Sequence, residues 1–266
     1  MKMPGDEMIP CPDDGWRVLF FDFMLRGLSI PVHEFLRGLL FVYGVQLHQL
    51  TPNSILHISC FITLCECFLG IHPHWGLWKR IFLLRRNASK DAIQDVGGAI
   101  IAVRPEANYF DFKMAESVQG WRTRWFYAKD EKVGEQEYGL APFDLTKPVT
   151  KLKSWDQSLS AAEVEETEPM VKKLYALQST AGKELSGLQI ITHFIRLRIQ
   201  PLQSRPTAMW AFSGPKDASR VSEDLTTADL EKLARRLTKF TRKDEIPSSC
   251  RVKPFSAEHP LPAVSY

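Results

Sequence analysis

Six side chains that could bind a metal ion or act as nucleophiles crowd into one short stretch: His57, Cys60, Cys65, Cys67, His72 and His74. Structural zinc sites typically use pairs such as Cys-x2-Cys, with four ligands that converge on the ion. Cys65 and Cys67 lie two positions apart, and such neighbours on a helix point to different faces. The spacing therefore predicts buried thiols and turn histidines, and we assign no metal ligand.

Other catalytic arrangements fail similar tests. Cys65 could pair with His72 or His74 as thiol and imidazole, but no neighbour supplies an orienting third group or an oxyanion donor. Gly97-Gly98 precedes a predicted strand, whereas a phosphate-binding loop leads into a helix. The glutamates between 163 and 168 stand at a predicted helix start, where the dipole favours acids. We predict a protein that is not an enzyme, with no catalytic residue, no cofactor and no evident small-molecule substrate.

Two groups of basic residues are candidates for binding RNA or DNA. Arg122 and Arg124 alternate with aromatic residues, a combination that can hold phosphates and stack bases. On a strand, however, alternation places both arginines on the face opposite Trp121 and Trp125. This favours solvated arginines on one face and buried tryptophans on the other, rather than rings that stack bases beside the arginines. The second group follows Trp78 and is predicted at a helix C-terminus, where cations also complement the dipole: Lys79, Arg80, Arg85 and Arg86.

An amphipathic helix is predicted from Thr226 to about Arg242. Its apolar side carries Leu230, Leu233, Leu237 and Phe240, and its other side is basic. Such a helix can lie in a groove of a partner protein. Its basic face could equally be solvated surface, so protein contact here is a hypothesis.

Composition sets the broad class. The chain has 266 residues, of which 44% are hydrophobic, and a net charge of +3. That is enough to bury a core, and far less basic than a protein that coats DNA. The five cysteines are odd in number and three lie in one apolar run, which indicates reduced thiols. We see no secretory leader or spanning segment, so we expect an intracellular protein, nuclear or cytoplasmic, that is neither secreted nor in a membrane.

The local patterns predict a mainly helical α+β fold with a short sheet or hairpin near 97–127. Predicted helices cover 31–48, 51–70, 75–84, 188–197 and a stretch from a capping box at Ser160, which Pro169 should kink or divide. Thr51 and Pro52 mark the start of a helix that is apolar almost all round, as expected at the centre of a bundle. Predicted strands cover 99–103 and 121–127, and 18–25 is apolar without a clear type.

These elements suggest a division along the chain. We expect a loose leader over 1–15 and a main domain over 16–214, with helical parts at 31–84 and 160–200, a small β part at 97–127 and a loop at 129–155. A basic amphipathic helical region at 215–244 and a disordered proline-rich tail at 245–266 would follow.

Several segments carry a family resemblance. They include Arg37-Gly38-Leu39-Leu40, Leu50-Thr51-Pro52-Asn53-Ser54, Leu64-Cys65-Glu66, Pro73-His74-Trp75, Ser117 to Arg122, Trp125-Phe126-Tyr127 and Arg198 to Leu202. In this order the chain resembles, from about Val18 to Arg220, the "putative gypsy-type transposon" domain of plant long-terminal-repeat retrotransposon proteins. The resemblance implies a transposable-element protein and brings no catalytic residues with it.

Three functional hypotheses follow from the residues and the resemblance. The first is a non-enzymatic domain that acts in assembly, in a gag-like way, through self-association or a partner protein. The second is a nucleic-acid-binding module that uses the basic residues. The third and weakest is a transposition enzyme, which would need three carboxylates around metal ions; Asp22, Asp111 and Asp144 have no motif context that marks them.

Overall fold

The computed structural model describes residues 4–28, 32–87, 96–114, 118–129, 139–179, 185–195 and 226–239. The described helices are α1 (Phe21–Met24), α2 (Glu34–Tyr43), α3 (Pro52–Thr63), α4 (Trp75–Ile81), α5 (Ala161–Ser179), α6 (Gly187–Phe194) and α7 (Thr227–Leu237). The described strands are β1 (Trp16–Phe20), β2 (Phe82–Arg86), β3 (Ala99–Val103) and β4 (Trp125–Lys129). The predicted α+β class, mainly helical with a little sheet, is confirmed.

Helix α3 is the centre of the core. The Thr51 hydroxyl accepts a hydrogen bond from the Ser54 N–H, and Pro52 occupies the first turn, as predicted. The helix continues as a π-helical turn, Leu64–Leu69, and ends at Gly70, whose φ is 71°. Every residue from 58 to 69 is buried, including the polar Ser59, Thr63 and Glu66. The prediction of an apolar helix that ends at Gly70 is therefore confirmed.

The span Pro52–Leu69 is also long and apolar enough to cross a membrane by length and composition, with a mean hydropathy of 1.3. Inside this structure 89% of that span is buried by the rest of the chain. A core helix of a globular domain has the same properties, so the span is weak support for a membrane segment.

Two predicted helix ends were wrong. Helix α2 starts at Glu34, capped by the His33 ring, which accepts a hydrogen bond from the Phe35 N–H; Pro31 lies outside the described residues. It ends at Gly44, with φ 63°, and does not reach His48. A left-handed glycine ends a helix because it turns the chain away while satisfying the last carbonyls. Leu47–Gln49 forms a separate 3₁₀ turn.

The sheets are two antiparallel pairs, β1 with β4 and β2 with β3. Residues 82–84 were predicted as the end of the third helix, which is wrong: Leu84 lies opposite Ile101 on β3. The predicted strand at 121–127 is also partly wrong, because Trp121–Thr123 forms a 3₁₀ turn and the strand begins at Trp125. The apolar run from Val18 divides between β1 and α1.

In the C-terminal half, helices begin at the capping residues seen in the sequence. Ser160 and Glu163 form the predicted capping box, with the Ser160 N–H donating to Glu163 Oε2 over 2.7 Å. Helix α5 runs unbroken past Pro169, so of the two expected effects, a kink or a division, the division does not occur. Glu165 and Pro169 are both exposed, and water can satisfy the carbonyl that Pro169 leaves without a partner. The predicted helix at 188–197 is α6, and Thr226 caps α7.

Candidate anion-binding cleft

A cleft of about 820 Å³ opens where α5 passes the end of α4 and strand β2. The segment 104–108 and the loop 151–159 complete its walls. These parts belong to three stretches of the sequence, 77–86, 104–108 and 151–175, which meet only in the folded chain. The volume is in the range of about 300–1,000 Å³ that is usual for sites enclosing a small ligand or one group of a larger one.

Positive charge dominates the lining of this cleft. Six of its side chains are cationic and two are acidic. The cations are Lys79, Arg80, Arg85, Arg86, Arg104 and Lys151, and the acids are Glu106 and Asp156. A concave surface of one predominant sign concentrates ions of the opposite sign, since low-dielectric walls focus the field. The cleft is therefore suited to anions.

Arg85 and Arg86 are the most available of these cations. They end β2, after Phe82 and Leu84 have turned into the core. Both arginines are exposed, and neither forms an ion pair or side-chain hydrogen bond within the described part of the chain. Because side chains alternate along a strand, Arg85 shares the more exposed face with Leu83, while Arg86 lies on the side of Phe82 and Leu84, beyond the edge of the core.

The other cations already have partners that hold the walls in place. Arg104 Nε donates to the Lys79 carbonyl over 2.7 Å, and its guanidinium lies 3.8 Å from the Glu106 carboxylate. Lys151 Nζ is 2.6 Å from Asp156. These contacts join the segment 104–108 to α4 and stiffen the loop that starts at Lys151.

Arg80 connects the cleft to α5. Its Nη1 donates to Glu168 Oε2 over 2.8 Å, and this hydrogen bond lowers the pKa of the Glu168 carboxyl. Part of the positive charge of Arg80 is thereby neutralised. Lys79, next to it, is only 7% exposed. Both residues contribute more to the shape and field of the cleft than to direct contact with a ligand.

An aromatic ring is accessible in the same cleft. Tyr175 on α5 lines it and is 40% exposed. Trp155 also lines it but is 3% exposed, and its indole N–H donates to the Tyr43 carbonyl over 2.8 Å. Tyr175 is thus a ring that a ligand can cover, whereas Trp155 belongs to the core.

The structure brings four of the six predicted nucleic-acid contacts together and leaves two elsewhere. Lys79, Arg80, Arg85 and Arg86 line the cleft. Arg122 Nε donates to the Val96 carbonyl over 2.9 Å, and its guanidinium lies over the Trp121 ring, 5.1 Å from the centroid. Arg124 Nη2 donates to Asp22 Oδ2 over 2.6 Å. Arg122 and Arg124 are used within the fold.

The apolar side of the predicted amphipathic helix is mostly internal as well. Leu230 and Leu237 are buried in the core, Leu233 is partly buried, and Phe240 lies outside the described residues. Helix α7 packs on α6 through this side. In this conformation Leu230 and Leu237 offer no surface to a partner protein.

The histidines and cysteines between His57 and His74 lie in and around the core helix. Cys60, Cys65 and Cys67 are buried, and burial raises the pKa of the Cys60 and Cys65 thiols. A protonated thiol is a poor nucleophile and a poor metal ligand. His74 caps α4, accepting from the Leu77 N–H, and its Nε2 lies 3.3 Å from Glu166.

Carboxylates are dispersed too. Asp22 is buried beside Arg26, whereas Asp111 and Asp144 each accept a hydrogen bond from a backbone N–H two residues ahead. Among the described residues, no three His, Cys, Asp or Glu side chains are grouped so that they could hold a metal ion.

Arg104, Lys151 and Tyr175 were not predicted from the sequence. Each is an isolated residue in a segment with no motif, and only the pairing of β2 with β3 and the packing of α5 on α4 place them in the cleft. Recognition of 82–86 as a strand would have been the useful signal, because it moves Arg85 and Arg86 from a helix end to a sheet edge.

Comparison with known proteins supports part of the resemblance. Residues 18–86 match the sequence model of a family described as "Putative gypsy type transposon". This segment runs from β1 to the end of β2, so it includes the core helix and Arg85 and Arg86. No curated protein matches the chain. No solved structure matches it either.

Proposed function

We propose that this chain, whose residues 18–86 carry the gypsy-type transposon match, is a non-catalytic nucleic-acid-binding domain that holds phosphates in the basic cleft. The observation that carries the proposal is the position of Arg85 and Arg86. They are exposed in a cleft with an excess of positive charge and have no carboxylate partner among the described residues.

Arginine suits a phosphate ligand for geometric and electrostatic reasons. Its planar guanidinium presents a fixed fork of donors that matches two phosphate oxygens, and it stays charged at every physiological pH. The cations with partners, such as Arg104 and Lys151, add to the field without being free to rearrange. The net charge of +3 is modest, so we expect binding at one place on the surface rather than along the whole chain.

A non-catalytic role is supported by the condition of the candidate nucleophiles. Buried thiols with a raised pKa do not supply thiolate at neutral pH. Asp22 and Glu66 are both buried carboxylates: Asp22 forms ion pairs with Arg26 and Arg124, and Glu66 lies 3.2 Å from the His33 ring. The residues that remain accessible, arginines and a tyrosine, are suited to binding.

The proposal is tested by fluorescence-anisotropy titration of the full chain with a labelled single-stranded RNA and a single-stranded DNA at several salt concentrations. Each phosphate contact on a single strand contributes roughly −0.7 to the log–log salt slope, so two contacts predict a slope of about −1.4. Arg85→Gln is expected to weaken binding about 10-fold and to reduce the slope by about 0.7. No binding at low salt would refute the proposal.

Lys129→Gln is the matched control. Lys129 is exposed at the end of β4 and does not line the cleft. Its loss removes the same unit of net charge as Arg85→Gln, so an equal effect of the two variants would show that binding is not located in the cleft.

Self-association, which the sequence favoured over nucleic-acid binding, is the second candidate. A specific surface supports it: Phe41, Val42 and Leu152 are 67%, 37% and 41% exposed. They are neighbours in space, because Ser154 Oγ donates to the Val42 carbonyl over 2.8 Å and Leu152 lies over Gly44. We call this the α2 patch. Clustered exposed apolar side chains commonly mark protein contacts.

Light scattering on a sizing column tests this second candidate. A second copy that docks on the α2 patch predicts a mass that rises with concentration and returns to that of a monomer in Phe41→Ser. Phe21→Ser is the control, since Phe21 is 50% exposed on α1 and is not part of the patch. A monomer at every concentration would exclude self-association through this surface.

A further inference from the structure

We infer, resting on the proposed function, that the cleft selects single-stranded nucleic acid by stacking one unpaired base on Tyr175 while Arg85 holds an adjacent phosphate. Both side chains line the same cleft, Tyr175 from α5 and Arg85 from β2. Together they match a nucleotide: the tyrosine ring can stack on its flat base, and the arginine can bind its anionic phosphate.

The shape of the cleft favours a strand over a duplex. Double-stranded DNA is read by an element that protrudes into a groove, such as a helix in the major groove, which is about 12 Å wide. Here the cations line a concavity of about 820 Å³, which has room for a nucleotide but not for a double helix. A base inside a duplex is stacked on its neighbours and cannot reach the Tyr175 ring.

Tyr175 is suited to stacking because it is exposed yet anchored. It belongs to the interior of α5, with Leu174 buried beside it and Val171 one turn before it. A ring on a rigid helix loses little conformational entropy when a base covers it. Leu83 and Val164 are partly exposed in the same cleft and can cover the edges of the base.

Two carboxylates at the border of the cleft also disfavour a duplex. Glu106 and Asp156 are largely exposed where the segment 104–108 and the loop 151–159 border the cleft. Their carboxylates would repel the second phosphate strand of a duplex, whereas a single strand can pass with its phosphates toward Arg85 and Arg86. The ligand class is therefore a single strand that contributes few phosphates.

The test compares four labelled probes in anisotropy titrations of the full chain: single-stranded oligothymidylate, oligouridylate of equal length, the matched DNA duplex, and an abasic strand with the same phosphates. We expect the single strands to bind at least 5-fold more tightly than the duplex and the abasic strand. Tyr175→Ala should weaken binding of the base-bearing strands roughly 5- to 100-fold, from the worth of one stacked base, and leave the abasic strand unchanged.

Two further variants keep the test specific. Tyr175→Phe retains the ring and should bind single strands as the parent does, which excludes a role for the hydroxyl. Phe21→Ala removes another exposed aromatic side chain, on α1 and outside both the cleft and the α2 patch, and should have no effect. Because Tyr175 is not a core residue, Tyr175→Ala is expected to fold, which thermal unfolding of each variant checks.

The outcomes separate this inference from the proposal on which it rests. If duplex and single strands bind equally and Tyr175→Ala has no effect, while Arg85→Gln still weakens binding, the stacking inference is wrong and phosphate binding in the cleft stands. If no probe binds at low salt, both fail. Loss of binding to the abasic strand in Tyr175→Ala would also overturn the inference, because stacking cannot act on a strand without bases.

Discussion

Asp22 accepts a hydrogen bond from Arg124 over 2.6 Å, and this contact ties α1 to the start of β4. The second oxygen of the same carboxylate lies 3.3 Å from the guanidinium of Arg26. Asp22 and Arg26 are both buried, whereas the Arg124 side chain is 46% exposed. One carboxylate thus neutralises a buried arginine and positions a surface one.

Replacement of Asp22 by Asn is expected to destabilise the fold strongly. It leaves Arg26 buried without a charge partner, and burial already lowers the pKa of that guanidinium. Loss of one partner of a buried ion pair costs about 3–5 kcal/mol. Urea denaturation measures the change in the free energy of unfolding. Asp156→Asn, in an exposed pair with Lys151, is the control and should cost less than about 1 kcal/mol.

The burial of His57 is expected to lower the free energy of unfolding in mild acid. Its Nδ1 is enclosed, with no hydrogen-bond partner among the described residues, and burial lowers the pKa of the imidazole to about 4. The unfolded chain has an ordinary histidine pKa of about 6.5. Between these values the unfolded state binds a proton that the folded state does not, so stability falls as pH decreases from about 6.5 to 4, by at most about 3 kcal/mol.

Urea unfolding at pH 7.5, 6, 5 and 4.5 measures this dependence. His57→Leu should flatten the profile over that range, whatever its own stability at neutral pH. His72→Gln, which removes an exposed histidine instead of a buried one, is the control. Parallel profiles for the parent and His57→Leu would exclude His57 as the source.

Removal of a cleft carboxylate is expected to strengthen anion binding. Glu106→Gln removes a negative charge from the wall and releases Arg104 from its 3.8 Å ion pair. We expect affinity for single-stranded DNA to rise about 2- to 5-fold, the size of a partly screened charge effect. Glu231→Gln also removes one carboxylate that pairs with an arginine, Arg235 on α7, but outside the cleft, and it should have no comparable effect.

The buried thiols are expected to be unreactive in the native protein. Cys11 is exposed, while Cys60, Cys65 and Cys67 are enclosed in the core around the π-helical turn. A Cys11→Ser/Cys250→Ser variant should therefore show no rapid reaction with a thiol reagent at pH 8. All three remaining thiols should react once guanidinium unfolds the chain. Rapid native labelling would mean that this part of the core opens readily.

Part of the site was predictable and part was not. Basic residues after Trp78 were recognised in the sequence, and Arg85 and Arg86 do line the cleft. Arg85 and Arg86 are accessible because they end a strand. The sequence did not predict this strand, since residues 82–84 continue the apolar helical pattern of α4. Arg122 and Arg124 had the more persuasive aromatic context, yet Val96 and Asp22 hold them within the fold. Hydrogen-bond partners that distant in the chain leave no local signal.

The sequence by itself determined where the helices with a Ser or Thr cap begin and which helix is central. Thr51, Ser160 and Thr226 cap helices through hydrogen bonds that close within three residues, so local chemistry suffices. Only the tertiary structure decided that β2 is a strand and that a cleft exists. Strand pairing joins Leu84 to Ile101, and the cleft joins Arg85 to Tyr175. Such contacts depend on the path of the whole chain, because their free energy comes from partners that local patterns do not identify.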